Sequence, residues 1–106
     1  MDPSEFKVSE ALNATGASEA LTDREKHLIG LAVVLTRGCQ FCTGGRMEKA
    51  LQAGIPYDTV QATADLTAAV NAGVVVRTAI QGADMNKIDE ICDGPECSVG
   101  LPESDK

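Results

Sequence analysis

Apolar positions along this chain recur mostly at helical spacing. Phe6, Val8, Ala11 and Leu12 predict one short amphipathic helix, which Gly16 ends. Thr22, followed three residues later by Glu25, forms a capping box that opens a second helix, with Leu21 placed as its staple. Leu28, Ile29, Leu31, Ala32, Val33, Val34 and Leu35 make that helix apolar nearly all round, which predicts burial on most sides. Arg37 and Gly38 stop it, a cation in the last turn and a glycine cap. A third helix carries Phe41, Met47, Ala50 and Leu51 at inward spacing and closes at Gly54. Pro56 opens a fourth, with Asp58 in its first turn and Val60, Ala64, Thr67 and Val70 as its inward face. Asn71-Ala72-Gly73 predicts a break, and Val74 to Ala83 a fifth helix. Val74-Val75-Val76 alone would pass for a strand, but no other strand is there to pair with it. The expected fold is all-α: a small bundle of about five helices over residues 1–86, then a cysteine-containing acidic tail over 87–106.

Composition agrees with the pattern. The 106 residues suffice for one domain with its own core. Fourteen alanines stand against three aromatics, Phe6, Phe41 and Tyr57, a balance that favours helix over strand. The formal charge is −7, and seven acids against two lysines lie between Asp84 and Lys106. Such a surface repels phosphate backbones and anionic lipid, so neither nucleic acid nor a membrane surface is an expected partner. The opening Met1-Asp2-Pro3-Ser4-Glu5 lacks the basic and apolar stretches of a secretory signal, and Leu66 to Val76 is too short and polar to span a bilayer. A cytoplasmic setting is expected, where thiols stay reduced and four cysteines read as catalytic or metal-binding. The second helix and Val74–Ile80 carry more apolar surface than five short helices can cover, which predicts a homo-oligomer.

The candidate chemistry centres on Cys39-Gln40-Phe41-Cys42 at the start of the third helix. Two cysteines three apart lie on one side of a helical turn, near enough to form a disulfide. The free N–H groups and positive end of a helix N-terminus favour thiolate there, the attacking species in exchange chemistry. The same pair also reads as half of a zinc site, or as two small buried hydrophobes. Cys92 and Cys97 form a second pair around a Gly94-Pro95 turn. They read as a secondary redox dithiol, slowed by the acids around it, as the other half of a four-thiolate metal site, or as incidental tail residues. His27, the one histidine, falls one turn inside the second helix. Arg46, four residues after Cys42, shares its face, where a guanidinium can hold a thiolate but never act as a base; it reads equally as a solvated arginine on the helix surface.

The run LTDREKHLIGLAVVLTRGCQFCTGGRMEKALQAGI and the helix after Pro56 resemble the carboxymuconolactone decarboxylase family, in particular its alkyl hydroperoxidase D-like branch. The resemblance covers about Leu21 to Ala83, with the two cysteines matching at Cys39 and Cys42. It implies an all-helical subunit that assembles into trimers or hexamers, and a CxxC dithiol that reduces peroxides or a protein disulfide. Family members relay protons through a glutamate on the buried helix and a histidine four residues after the second cysteine; here those positions hold His27 and Arg46. The resemblance therefore implies a thiol–disulfide oxidoreductase or peroxidase with no cofactor, acting on a hydroperoxide or protein disulfide and recharged by a thiol reductant. In it, Cys39 and Cys42 cycle while His27 and Arg46 either serve one pocket as a swapped relay or mark the loss of the relay, leaving a thiol–disulfide protein with poor peroxidase activity. Two alternatives stand beside it: a zinc-binding or redox-sensor module, and a decarboxylase-like enzyme of the wider family in which His27 and Arg46 grip a carboxylate.

Overall fold

A computed structural model describes residues 1–100, and among them every regular element is helical. After a 3₁₀ turn at Pro3–Glu5 come α1 (Val8–Gly16), α2 (Asp23–Arg37), α3 (Gln40–Gln52), α4 (Tyr57–Met85) and α5 (Ile88–Ile91). The chain divides into two compact units, Met1–Ala68 and the stretch from Ala69 on, with the division falling inside α4.

The first unit is organised by the pairing of α2 with α3. Its capping box forms as expected: Thr22 Oγ1 accepts from the Glu25 N–H at 3.1 Å, and the Glu25 carboxylate accepts from the Thr22 N–H at 2.8 Å. At the other end Gly38 takes a left-handed φ of 75°, reversing the chain directly into α3. Gly54, at φ 87°, does the same after α3 and turns Ile55 inward, its N–H bonded to the Ala50 carbonyl at 3.0 Å. The core is small: Leu31 from α2, Ala50 from α3, Ile55, and Val60 from α4, with Leu28, Val34, Leu35 and Met47 packed at its rim.

Four expectations are corrected. Asn71-Ala72-Gly73 does not break the chain; the fourth and fifth helices are one continuous α4 of 29 residues. Glycine inside a helix costs only about 1 kcal/mol relative to alanine, and the alanines around it carry the helix through. The fifth helix is instead the single turn α5, entered through Lys87 at a left-handed φ of 53°. The apolar α2 is not enclosed by the chain itself: Leu31 is fully buried, while Ile29 and Val33 are half exposed. The inward faces also stop short, since Phe41 is 92% exposed and Leu51 and Val70 are exposed, leaving Val60 as the buried position of α4.

In the second unit, Cys92 and Cys97 are joined by a disulfide across Asp93-Gly94-Pro95-Glu96, with Cα atoms 5.4 Å apart. Of the acids placed in a tail, Asp84 lies in the last turn of α4, Asp89 and Glu90 lie in α5, and Asp93 and Glu96 lie in the disulfide loop. Glu103 and Asp105 lie outside the described residues. No described helix is long and apolar enough to cross a membrane.

Candidate functional site: the Cys39–Cys42 dithiol

The left-handed Gly38 ends α2 so abruptly that the next residue, Cys39, is already the N-cap of α3. An N-cap side chain faces the unpaired N–H groups of the first turn. Serine or aspartate usually fills that role with oxygen; here sulfur does so, and Cys39 Sγ accepts from the Cys42 N–H at 3.2 Å. The backbone closes the same turn, with the Cys39 carbonyl accepting from the Thr43 N–H at 3.0 Å and from Thr43 Oγ1 at 2.7 Å.

This geometry makes the two sulfurs unequal. The Cys39 thiol is held below the ordinary cysteine value, first by the Cys42 thiol donating to it, then by the Cys42 N–H, with a smaller contribution from the Phe41 N–H. The Cys42 thiol is pushed up, chiefly because its proton is engaged by Cys39, then by burial and by the charge on Cys39. The charge of Arg46 pulls it back down and is the smallest of these influences. The two thiols titrate as a coupled pair, with the thiolate favoured at Cys39 over Cys42. Accessibility runs the other way, since Cys39 is half-buried and Cys42 exposed. In thiol exchange generally, charge state rather than exposure decides which sulfur is the better nucleophile, because thiol is a poor one.

The structure does not bring His27 and Arg46 together. His27 lines a cavity of about 250 Å³ with Asp23, Arg24, Ala53, Gly54 and Ile55, at the far end of the α2–α3 pair. Cys39 lies past the other end of α2, which closes at Arg37 ten residues further along, roughly 15 Å at 1.5 Å per residue of helix. Arg46 lines a different cavity with Lys26, Ile29 and Gly30. Its guanidinium lies across Gly30 of α2, so closely that a Cβ at Gly30 would stand 2.5 Å from Nη1 and 2.8 Å from Cζ. A single pocket holding both residues is thus replaced by two. The role of Gly30 went unread in the sequence, although a glycine inside an otherwise apolar helix was a usable signal for close approach.

Among the described residues no three His, Cys, Asp or Glu side chains gather as a metal site, and Cys92 and Cys97 are bonded to each other.

No curated protein and no solved structure matches the chain. The model of the carboxymuconolactone decarboxylase family matches residues 6–85, from just before α1 to the end of α4, a longer stretch than the run that first suggested the likeness. With well over half of its 106 residues matched, and with the α2–α3 hairpin and its CxxC inside the match, the chain belongs to the carboxymuconolactone decarboxylase family.

Proposed function

We propose that the protein is a thiol–disulfide oxidoreductase of the peroxidase type, of the family's alkyl hydroperoxidase D-like branch, in which Cys39 attacks and Cys42 resolves. The observation that carries this reading is the N-cap sulfur: Cys39 Sγ, accepting the Cys42 N–H, is the thiol of the pair held low. The Cys39 thiolate attacks the terminal oxygen of a hydroperoxide, the O–O bond breaks, and Cys39 becomes a sulfenic acid. The departing alkoxide takes the proton of the Cys42 thiol and leaves as the alcohol. The Cys42 thiolate then attacks Cys39 Sγ, expelling hydroxide and forming the Cys39–Cys42 disulfide. Two electrons pass from the dithiol to the peroxide, and an external dithiol restores them.

In this scheme Cys42 supplies the proton that the family obtains from histidine, and Arg46 acts only as a fixed charge one turn away. His27 lies too far along α2 to donate directly, and the exchange does not need it. Cys92 and Cys97 are a secondary redox pair: once opened by a reductant, they pass electrons on by the same exchange.

The test is alkylation of the reduced protein across pH, read cysteine by cysteine by peptide mass spectrometry, beside turnover of tert-butyl hydroperoxide with dithiothreitol. Cys39 is expected to react at lower pH than free cysteine and Cys42 only at higher pH. Turnover is expected to vanish in Cys39→Ser. Undiminished turnover in a variant with Cys39→Ser and Cys42→Ser together would overturn the proposal.

A further inference from the structure

The structure holds its two cysteine pairs in opposite states. Cys92 and Cys97 are joined, while Cys39 and Cys42 are free. Their surroundings differ in the same sense. In the open pair, Cys39 Sγ caps α3 and accepts the Cys42 N–H at 3.2 Å, and no acid stands in the first turn of that helix. Such a cap stabilises a thiolate. A dithiol with a stabilised thiolate is the weaker holder of a disulfide, because opening the bond releases a favoured product.

The second pair is framed to stay closed. The Cys92 N–H bonds to the Ile88 carbonyl at 2.8 Å, which ties one end of the ring to α5. The Cys97 N–H bonds to the Gly94 carbonyl at 3.1 Å across a turn, with Pro95 at its second position. Proline presets the φ that this position needs. Backbone bonds thus hold both cysteines near closure, so the disulfide forms with little further loss of chain entropy. Charge acts the same way. Asp93 and Glu96 adjoin the two cysteines inside the ring, and Asp89 and Glu90 precede them in α5. Lys87 is the one cation between residues 84 and 100. Thiolates released beside those carboxylates are disfavoured.

We propose that Cys92 and Cys97 are the terminal holders of oxidation in this chain: a disulfide formed at Cys39–Cys42 is passed to them, and a chain with one disulfide rests with it at Cys92–Cys97. This direction rests on the reading of Cys39–Cys42 as an exchanging dithiol and adds where the oxidation ends. A thiolate of the reduced Cys92–Cys97 pair attacks one sulfur of the Cys39–Cys42 disulfide, that bond breaks, and a mixed disulfide forms. The second tail thiol loses its proton and displaces the mixed bond, closing Cys92–Cys97. Two electrons pass to Cys39 and Cys42; Cys42 takes one of the two protons and the other goes to solvent, so Cys39 returns as thiolate. A small thiol can carry the exchange, and the equilibrium is the same by either route.

The full chain is first reduced at all four cysteines, then given one equivalent of diamide, which takes two electrons and two protons from a dithiol. With a trace of glutathione as carrier it is left to equilibrate at about pH 8.5, near the free thiol value, so that ionisation counts in both pairs. Alkylation and peptide mass spectrometry then locate the disulfide. Chains closed at Cys92–Cys97 should outnumber those closed at Cys39–Cys42 about tenfold or more, which is about 30 mV for a two-electron couple. Pro95→Ala should lower that ratio about two- to fivefold, the effect of freeing one backbone φ. Asp93→Asn with Glu96→Gln should lower it about twofold. A wild-type ratio near one, or in favour of Cys39–Cys42, would overturn the inference, as would a ratio unchanged in both variants. The Cys92→Ser/Cys97→Ser chain under the same oxidant separates the two readings. If it closes Cys39–Cys42 while the wild type fails to pass that disulfide on, the present inference alone falls; if it never closes, both fall.

Discussion

Among the described residues Leu31 is the one large side chain wholly out of water, and its replacement by alanine is the sharpest test of where this fold is held. Leucine to alanine in a core loses the transfer energy of the removed carbons and leaves a cavity, together about 2–5 kcal/mol. Here the surrounding core is only Ala50, Ile55 and Val60, and the rim of Leu28, Val34, Leu35 and Met47 is partly open. Such a rim can lean into the void, so the lower part of the range, about 2–3 kcal/mol, is expected. Against a total stability of roughly 5–15 kcal/mol that is a large fraction. Urea unfolding followed at 222 nm, at one low protein concentration and one redox state, should show the midpoint falling by about 1–2 M at a typical small-protein slope. Ile29→Ala, on the same helix but half exposed, should cost no more than about 1 kcal/mol under those conditions. The thiols should not notice: the Cys39 cap is made within one turn of α3, so Leu31→Ala should leave the pH dependence of Cys39 alkylation in place. A Leu31→Ala loss below about 1 kcal/mol would refute the assignment of the core.

The remaining predictions concern the helix ends, the long helix and assembly. The Glu25 carboxyl is held below its usual value, chiefly by the Thr22 N–H, so the bond stabilises the fold above the ordinary carboxylate range and is lost as pH falls through the lowered value. The stability gap between wild type and Glu25→Gln should therefore shrink on acid titration; a gap independent of pH would exclude the capping box as its source. Gly73→Ala should stabilise the protein by about 0.5–1 kcal/mol, because a Cβ there meets nothing and α4 runs through. Destabilisation by that substitution would restore the break at Asn71-Ala72-Gly73. Light scattering at micromolar concentration should give a mass above that of one chain, since Ile29, Val33, Leu66, Val70 and Val74 are all left exposed by the chain alone. A monomer would contradict the homo-oligomer.

What could be read from sequence was local. Thr22 and Glu25, Gly38, and the cysteines three apart act within one or two turns, and each forms what its spacing predicts. The chain's helical class followed for the same reason. Misreadings arose where a local signal had to compete with its surroundings. Gly73 looks like punctuation, yet its penalty is small beside the alanine-rich helix that contains it. Val33 and Phe41 look like core, yet hydrophobicity states that a side chain is better out of water, without stating which surface covers it.

The proton relay shows the limit most clearly. From sequence, Arg46 could be placed on the same face as Cys42, because that relation lies within one helix. Where the side chain then goes depends on the facing helix, and there a glycine rather than a side chain waits at Gly30. The guanidinium turns onto that bare backbone, and its charge becomes the smallest influence on Cys42. His27 fails for a related reason: ten residues of helix separate it from the end of α2 before Cys39, and the antiparallel return of α3 brings it to Ala53 and Gly54 instead. The asymmetry of the two thiols therefore does not need a histidine. It arises first from the Cys42 thiol donating to Cys39 and next from the backbone, as the Gly38 turn places Cys39 at the cap and Cys42 three residues inside, so that one sulfur receives the N–H the other residue carries. A family position that exchanges histidine for arginine can then keep a thiolate without the histidine, provided the glycine turn before the first cysteine is kept.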